Sequence, residues 1–482
     1  MTEDTAESGE TVPEATETTA TRMDAIGQAQ SLVDEGVFEE VMAQWVAIPS
    51  TSQEAEKRDA LTQYLSEAIV PAVEALGCHW QIHENPDPTG GPFLIAERWE
   101  AADRPTVLLY GHGDTVQGQD DRWQDGLEPW VTVCDGDRLY GRGTADNKGQ
   151  HAINLLALLT VLEARGSLGF NLRILIEMSE EVGSRGLREF AEDQKDKLAA
   201  DVLIASDGPR LKPDRPTVFL GSRGVATYRL SIHAREGAHH SGNWGGLLSN
   251  PGIQLMHAIG TIVDRRGAIK VDGLKPPPLS NAVRDAIADC EVDGGPDAPE
   301  IDPDWGEPGL TPWERVFGWN TFEVLAFETG TPANPVNAVP PSATAVCQIR
   351  FIAGSDQAGF EQAIRDHLNA NGFTMVEIES MRMAMAATRT DLDNPWVERT
   401  VASLEKTLGQ RPAVLPNLGG SIPNDVFTDL LGMPTVWVPH SYAGCSQHAP
   451  NEHLLLPIAR EGLGMMAGLY WDIGEMEHTP AV

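Results

Sequence analysis

Histidine and carboxylate side chains recur at five places along the chain, each directly after an apolar run or inside a glycine-rich loop. Neutral imidazole and carboxylate groups are ligands that zinc and similar divalent cations accept. The adjacent Glu180 and Glu181 are the hardest to explain otherwise, because two carboxylates at the end of a buried strand repel one another unless cations or protons compensate them. The residues that could carry this chemistry are His112, Asp146, Glu180, Glu181, Asp207 and His448.

Taken alone, most of these segments also have a structural explanation. His112 follows the strand-like run 107–110, where a histidine is more often structural, and Asp146 is equally placed to cap the helix that follows it. Cys445 is weighed as a thiolate ligand and set aside, because zinc-binding cysteines usually occur in CxxC pairs. Together, however, the segments supply two histidines and three carboxylates, enough for two metal ions that share one bridging carboxylate.

The elements that must hold these side chains alternate along the first part of the chain. Apolar strands are predicted at 80–83, 93–96, 106–110, 172–176 and 202–205. Helices are predicted at 30–45, 56–77, 148–163 and 185–197. This alternation predicts an α/β fold, a mostly parallel sheet with helices on both faces. Such sheets place their chemistry at the carboxyl ends of the strands.

The pattern changes near residue 216 and resumes near residue 388. Between these points, alternating strands at 227–233 and 346–351 and helices from about 250 and at about 355–370 predict an inserted α+β domain. The stretch 271–312, rich in Pro, Gly and Asp, is interpreted as loops or an insertion. The predicted organisation is a disordered acidic tail at 1–21, a catalytic domain at 22–216 that is completed by 388–482, and the inserted domain at 217–387.

In the order and spacing of the five segments, the chain resembles the co-catalytic metallopeptidases. That family includes carboxypeptidase G, acetylornithine deacetylase, succinyl-diaminopimelate desuccinylase, aminoacylase and the carnosinase-type dipeptidases. The resemblance covers about residues 25–475. It implies that Asp146 bridges two metal ions, that His112 and Asp207 bind the first ion, and that Glu181 and His448 bind the second.

The same resemblance implies roles for residues that do not bind metal. Glu180 matches the general base, and Asp114 matches the partner that orients His112. The inserted domain is implied to be a lid and dimerisation domain, whose His240 reaches the active site of the neighbouring subunit of a homodimer and stabilises the oxyanion. Substrate-binding roles are implied for Asn337, Arg350, Gly420 and Ser421.

The activity implied by this resemblance is metal-dependent hydrolysis of an amide or peptide bond near a free carboxylate, as in a dipeptidase or carboxypeptidase. Two divalent ions, with Zn²⁺ the first choice and Mn²⁺ or Co²⁺ as alternatives, hold a water that Glu180 deprotonates. The substrate is then a small peptide, whereas an N-acyl amino acid would be the substrate of a deacylase of the same family. A non-catalytic homologue is disfavoured, because Glu180 and all five metal positions are present.

Composition argues against several other classes of protein. Asp and Glu outnumber Lys and Arg by 71 to 35, so the surface repels nucleic acid and anionic lipid. No apolar run approaches the roughly 20 residues that cross a bilayer, and the N-terminus lacks a signal-peptide pattern, so neither export nor a membrane partner is expected. Five scattered cysteines do not suggest a disulfide framework, which fits a reducing, cytoplasmic location.

Overall fold

The computed structural model describes residues 20–291, 300–381 and 385–476. The predicted disordered tail at 1–21 lies, apart from its last two residues, outside these ranges and stays a prediction. In chain order, the strands of the described residues are β1 His79–His83, β2 Phe93–Arg98, β3 Thr106–His112, β4 Val133–Asp135, β5 Arg138–Tyr140, β6 Asn171–Glu177, β7 Val202–Ala205, β8 Pro209–Arg210, β9 Thr217–Phe219, β10 Gly221–Ser222, β11 Gly224–His233, β12 His239–His240, β13 Thr321–Glu328, β14 Ala338–Val339, β15 Ser342–Phe351, β16 Glu377–Ser380, β17 Thr388–Arg389, β18 Ala413–Leu415, β19 Thr435–Trp437, β20 Ser441–Tyr442 and β21 His453–Leu455.

The α-helices of the same ranges are α1 Arg22–Asp34, α2 Val37–Val46, α3 Arg58–Tyr64, α4 Val70–Ala75, α5 Lys148–Arg165, α6 Leu187–Asp193, α7 Lys195–Leu198, α8 Ser241–Trp244, α9 Pro251–Ile262, α10 Asn281–Ala288, α11 Pro312–Phe317, α12 Phe360–Ala370, α13 Pro395–Leu408 and α14 Leu456–Gly474. A π-helical turn, Leu65–Ile69, joins α3 to α4. Among the described helices, none is both long and apolar enough to span a membrane.

The larger sheet has eight strands in the order β1–β2–β6–β3–β7–β19–β9–β18. Its central pairings, β6 with β3, β3 with β7 and β7 with β19, are parallel, as is β9 with β18. The pairings of β1 with β2, β2 with β6 and β19 with β9 are antiparallel. The predicted α/β fold with a mainly parallel sheet is therefore confirmed, with an antiparallel edge that the sequence pattern did not reveal.

Helices cover both faces of this sheet. Val107 and Leu109 of β3 pack in one hydrophobic cluster with residues of α5 and α14. Leu108 and Tyr110 of the same strand point the other way, into a cluster with residues of α6 and α10. A strand buried on both faces needs apolar side chains at nearly every position, which is why β3, β6 and β7 were recognisable as short apolar runs.

The smaller sheet is fully antiparallel, with four strands in the order β13–β15–β11–β16. Buried and partly exposed residues alternate along the whole of β15, because one face of this sheet packs against α9 and α12 while the other faces outward. All four strands come from residues 224–380, whereas the eight-stranded sheet uses residues 79–219 and 413–437.

The structure differs from the local sequence predictions at two places and contains one strand that they omitted, each for a physical reason. The predicted helix at 30–45 is two helices, because Gly36 adopts a left-handed conformation with φ of +79° between α1 and α2. Helix α10 lies in the stretch interpreted as loops or an insertion, where only Val283 and Ile287 mark its buried side. Strand β13 was missed because a register shift between Val324 and Ala326 breaks the alternation that would have marked it.

Candidate metal centre and active site

The five sequence segments meet at one edge of the eight-stranded sheet. Three of them follow the carboxyl ends of the neighbouring parallel strands β6, β3 and β7, as expected for this type of sheet. The fourth lies just before α5, and the fifth lies in the loop between β20 and β21. The side chains brought together are His112 from β3, Glu180 and Glu181 from the turn after β6, Asp207 after β7, Asp146 before α5, and His448.

Two clusters of possible ligands share the carboxylate of Asp146. In the first, His112 Nε2 lies 3.1 Å from Asp146 Oδ1 and 3.7 Å from Asp207 Oδ2. In the second, His448 Nε2 lies 3.0 Å from Asp146 Oδ2 and 3.0 Å from Glu181 Oε2. Within each cluster, the candidate ligand atoms are all within 4.8 Å of one another. The two oxygens of Asp146 thus face two different histidines, which is the arrangement a bridging ligand needs.

The electrostatics of the clusters call for positive charge. Burial raises the pKa of Glu180 well above its ordinary range, that of Glu181 to about 7 and that of Asp207 to about 6. Hydrogen bonds that the imidazole of His448 donates to the carboxylates of Asp146 and Glu181 raise the pKa of His448 to about 11. Carboxylates crowded together in this way favour protons or cations beside them, and a divalent cation bound by both clusters would supply that positive charge.

Unpaired atoms in the clusters point the same way. His112 Nε2 and Glu181 Oε1 are buried and have no hydrogen-bond partner among the described residues, although a buried polar atom is normally satisfied. Asp146 differs from its neighbours: burial opposes its ionisation, yet the imidazoles of His112 and His448 on its two sides hold its pKa well below the ordinary value. A charged Asp146 between two histidines, with buried unpaired nitrogen and oxygen ligands, fits the donor set of a two-metal site.

The carboxylate of Asp114 connects the two halves of the centre. Its Oδ1 lies 3.5 Å from His112 Nδ1 and accepts a hydrogen bond from the backbone N–H of Glu180 at 3.1 Å. Its Oδ2 accepts from the backbone N–H of Glu181 at 3.1 Å and from the Ser52 hydroxyl at 2.6 Å. One buried side chain thus positions both the imidazole of His112 and the turn that carries the two glutamates.

Sequence reasoning missed the ion pair that supports Asp146. Glu452 Oε1 accepts hydrogen bonds from the backbone N–H groups of Ala145 and Asp146, both at 3.0 Å. Its Oε2 accepts from Arg142 Nη1 at 2.6 Å, and both charged side chains are buried. Each residue lies in a segment already singled out, but they are 310 positions apart, and no spacing rule predicts that their loops meet.

We expect Glu452→Gln to lower the free energy of unfolding by about 3 to 5 kcal/mol, because it leaves the Arg142 guanidinium buried without its counter-charge. Metal affinity is expected to fall as well, since the loop that carries Asp146 loses its charged acceptor. Denaturant unfolding and metal titration measure the two effects. The matched control is Asp34→Asn, which breaks the exposed ion pair with Arg460 and should cost about 1 kcal/mol or less. Equal effects of the two variants would contradict this role for Glu452.

The remaining residues singled out in the sequence form two separate groups of neighbours. Arg350 Nη1 donates to the Ser421 hydroxyl at 2.8 Å, beside Gly420, whose carbonyl accepts from the backbone N–H of Arg223 at 3.2 Å. His240 lies in the short sheet of β12 and β14, next to Asn337, whose carbonyl accepts from the backbone N–H after His240 at 2.9 Å. Within the described ranges, no hydrogen bond joins either group to the metal clusters.

Comparison with known proteins agrees with the fold and the cluster of ligands. Residues 108–472 match the family described as Peptidase family M20/M25/M40. The chain belongs to this family and is a metallopeptidase that hydrolyses peptide bonds. The family resemblance inferred from the five segments is thereby confirmed.

Three relatives illustrate the range of the similarity. The chain is 32% identical over 252 residues to "Beta-Ala-His dipeptidase" of Mus musculus, covering 49% of this chain and 50% of that protein, so the match spans only half of that relative. It is 27% identical over 369 residues to "Cysteinylglycine-S-conjugate dipeptidase" of Corynebacterium striatum, covering 74% and 77%. The crystal structure of the M20 family metallo-carboxypeptidase Sso-CP2 from Sulfolobus solfataricus superposes with a TM-score of 0.75 at 25% identity, covering 91% of this chain and 99% of that one.

Proposed function

We propose that this metallopeptidase is a two-metal dipeptidase that hydrolyses the peptide bond next to the substrate's free carboxylate. The observation that carries the proposal is the carboxylate of Asp146, shared between two ligand clusters beside the partly buried Glu180. Similarity to relatives named as dipeptidases supports this choice over a carboxypeptidase acting on long chains.

In this proposal, His112, Asp146 and Asp207 hold one ion, and Asp146, Glu181 and His448 hold the other. When bound, two such ions polarise the scissile carbonyl and lower the pKa of a water towards neutrality. Zn²⁺ is our first choice, and Mn²⁺ or Co²⁺ suit the same nitrogen and oxygen ligands.

Glu180 is proposed to move the protons of the reaction. Its carboxyl group is held by a turn that Asp114 fixes through two backbone hydrogen bonds, so it does not have to reorganise during catalysis. Burial raises the pKa of Glu180 well above the ordinary range. A higher pKa lets the carboxylate take a proton from water more readily, which suits a general base. It takes a proton from the attacking water and delivers it to the leaving amine.

Arg350 is proposed to bind the substrate's free carboxylate. Its guanidinium offers the fork geometry that pairs with a carboxylate through two hydrogen bonds. The Ser421 hydroxyl and the Gln348 side chain, at 2.8 and 3.1 Å, orient this guanidinium. Ser421 in turn donates to the carbonyl of Arg223, which ties the loop 419–421 to the start of β11.

We further propose a homodimer in which His240 acts on the neighbouring subunit's active site, with Asn337 beside it as a substrate-binding residue. His240 is exposed, and the hydrogen bond of its ring is local, from the N–H of Gly242 to Nδ1 at 3.1 Å. Large apolar side chains are exposed on the edge strand β13 and on α9. Burying them against a second subunit would remove them from water, which favours a dimer. These side chains are Val324, Leu325, Phe327, Ile253 and Met256.

His240→Ala is expected to lose activity while keeping its metals, because the residue is proposed to stabilise the oxyanion and is not a metal ligand. Loss of one such donor typically costs about 10²- to 10³-fold in kcat. Mixing inactive His240→Ala with inactive Glu180→Gln under subunit exchange should restore activity, because one site of the mixed dimer combines both intact residues. His239→Ala, which changes the exposed neighbour, serves as the control. Proven exchange without recovery would rule out action across the dimer.

The dipeptidase proposal is tested with a substrate panel and the metal-reconstituted protein. We expect dipeptides with a free N-terminus to have kcat/KM at least about tenfold above N-acetyl or N-succinyl amino acids with the same C-terminal residue, a difference of about 1.4 kcal/mol in transition-state binding. The opposite order would identify an N-acyl-amino-acid deacylase. Hydrolysis of neither class by the metal-loaded protein would overturn the dipeptidase proposal.

We propose a cytoplasmic location because the cysteines form no disulfide bonds. All five are free thiols, four of them buried, and burial raises the pKa of Cys445 to about 12. Cys445 is outside both ligand clusters. Free thiols persist in a reducing compartment.

A further inference from the structure

A cavity of about 900 Å³ lies between the smaller sheet, the segment 301–323 and the loop 442–446. This volume is in the upper part of the range for small-molecule sites and far exceeds what glycine as the C-terminal residue of a dipeptide would fill. We propose that the cavity binds the side chain of the substrate's C-terminal residue and favours a large aromatic residue over glycine. This inference rests on the dipeptidase function proposed above.

Two of the residues that line the cavity connect it with the proposed active site. Arg350, proposed to bind the substrate carboxylate, is one of its lining residues. Ser446 is another, and it stands two residues before His448, so their Cα atoms are at most about 7.6 Å apart. Gln447, between them, donates to Asp146 Oδ2 at 3.3 Å. A C-terminal residue whose carboxylate reaches Arg350 is therefore placed to direct its side chain into the cavity.

The walls of the cavity are suited to an aromatic side chain. Three tryptophans, Trp305, Trp313 and Trp319, line it together with Ile301 and Val316. Aromatic rings bury about 150 to 250 Å² each and add favourable ring–ring contacts. The segment that supplies these walls also contains Glu307 and Arg315, whose guanidinium donates to the carbonyl of Glu307 at 3.0 Å and so holds the segment folded on itself.

Buried polar atoms without partners lie along the same cavity. Arg223 Nη1, Trp319 Nε1 and Glu307 Oε2 line it and have no hydrogen-bond partner among the described residues. The Arg223 side chain is about nine-tenths buried. Burial and the nearby charge of Arg350 lower the pKa of Arg223 to about 10, although the half-buried Glu323 opposes this shift. The guanidinium groups of Arg223 and Arg350 lie close together, and Arg223 has an unpaired N–H. A ligand with a carboxylate would accept hydrogen bonds from both groups.

The test compares Ala-Gly, Ala-Ala, Ala-Leu and Ala-Trp as substrates of the metal-reconstituted full chain. We expect kcat/KM for Ala-Trp to exceed that for Ala-Gly at least tenfold, since even one methylene in an apolar pocket is worth about 10- to 200-fold. Trp305→Ala should reduce this ratio several-fold. Trp305 is half exposed, so its removal does not empty a core. Trp99→Ala changes an equally exposed tryptophan outside the cavity and should leave the ratio unchanged.

The outcomes separate this inference from the dipeptidase proposal. Equal or faster cleavage of Ala-Gly would overturn the inference and leave the dipeptidase function standing. A preference for Ala-Trp that Trp305→Ala and Trp319→Leu both leave intact would overturn the assignment of the preference to this cavity. Cleavage of no dipeptide by the metal-loaded protein would overturn the proposed function and the inference with it.

Discussion

Glu180→Gln is expected to lower kcat by about 10²- to 10⁴-fold, the usual contribution of a general base. The amide keeps the shape of the carboxyl group but cannot take a proton from water. Metal content and melting temperature should stay close to wild type, because Glu180 is outside both ligand clusters. Stopped assays on metal-reconstituted protein, paired with metal analysis, measure both quantities.

Glu189→Gln is the matched control for this experiment, since it makes the same chemical change at an exposed position of α6. It should leave kcat unchanged. Retention of more than about a tenth of wild-type kcat by Glu180→Gln, below the range for a general base, would remove Glu180 from that role.

Asp146→Ala is expected to abolish activity through loss of both metals rather than through loss of a proton acceptor. Each of its carboxylate oxygens faces a different histidine, so this one substitution removes a ligand from both clusters. A metal that binds only the folded chain stabilises it by about 2.7 kcal/mol at a free concentration of 100 times its Kd. The wild-type melting temperature should therefore rise with added metal and fall with chelator, whereas that of Asp146→Ala should respond to neither.

Asp103→Ala provides the control, because it removes an exposed carboxylate that precedes the amino end of β3, at the other end of the strand from His112, and should keep the metal response of the wild type. His112→Ala is expected to give an intermediate result, since it removes a ligand from the first cluster alone. A metal-dependent rise in melting temperature that survives in Asp146→Ala would contradict the bridging role.

The strands that carry the site were predictable because their residues carry the information locally. β3, β6 and β7 are buried at nearly every position and mostly apolar at their centres, and the chemical groups follow at their carboxyl ends. Parallel neighbours bring those ends to one edge whatever the details of packing. For this reason the meeting of His112, Glu181 and Asp207 could be expected from sequence alone.

Elements whose pattern depends on distant partners were less predictable. The bulge in β13 hides its alternation, and the antiparallel edge formed by β1 and β2 leaves no mark that distinguishes it from a parallel one. The role of His240 is still a prediction of the family resemblance, because a single chain leaves that residue exposed.

The sequence by itself identified the candidate metal ligands, since ligand chemistry belongs to the side chain and strand ends are marked by local apolar runs. Only the tertiary structure decided how those ligands are supported and what surrounds them. The pairing of Arg142 with Glu452 joins positions 310 apart, and the tryptophan-lined cavity joins the segment 301–323 to Arg350 and Ser446. Contacts between segments this distant depend on the whole packed chain, so no local spacing or periodicity encodes them.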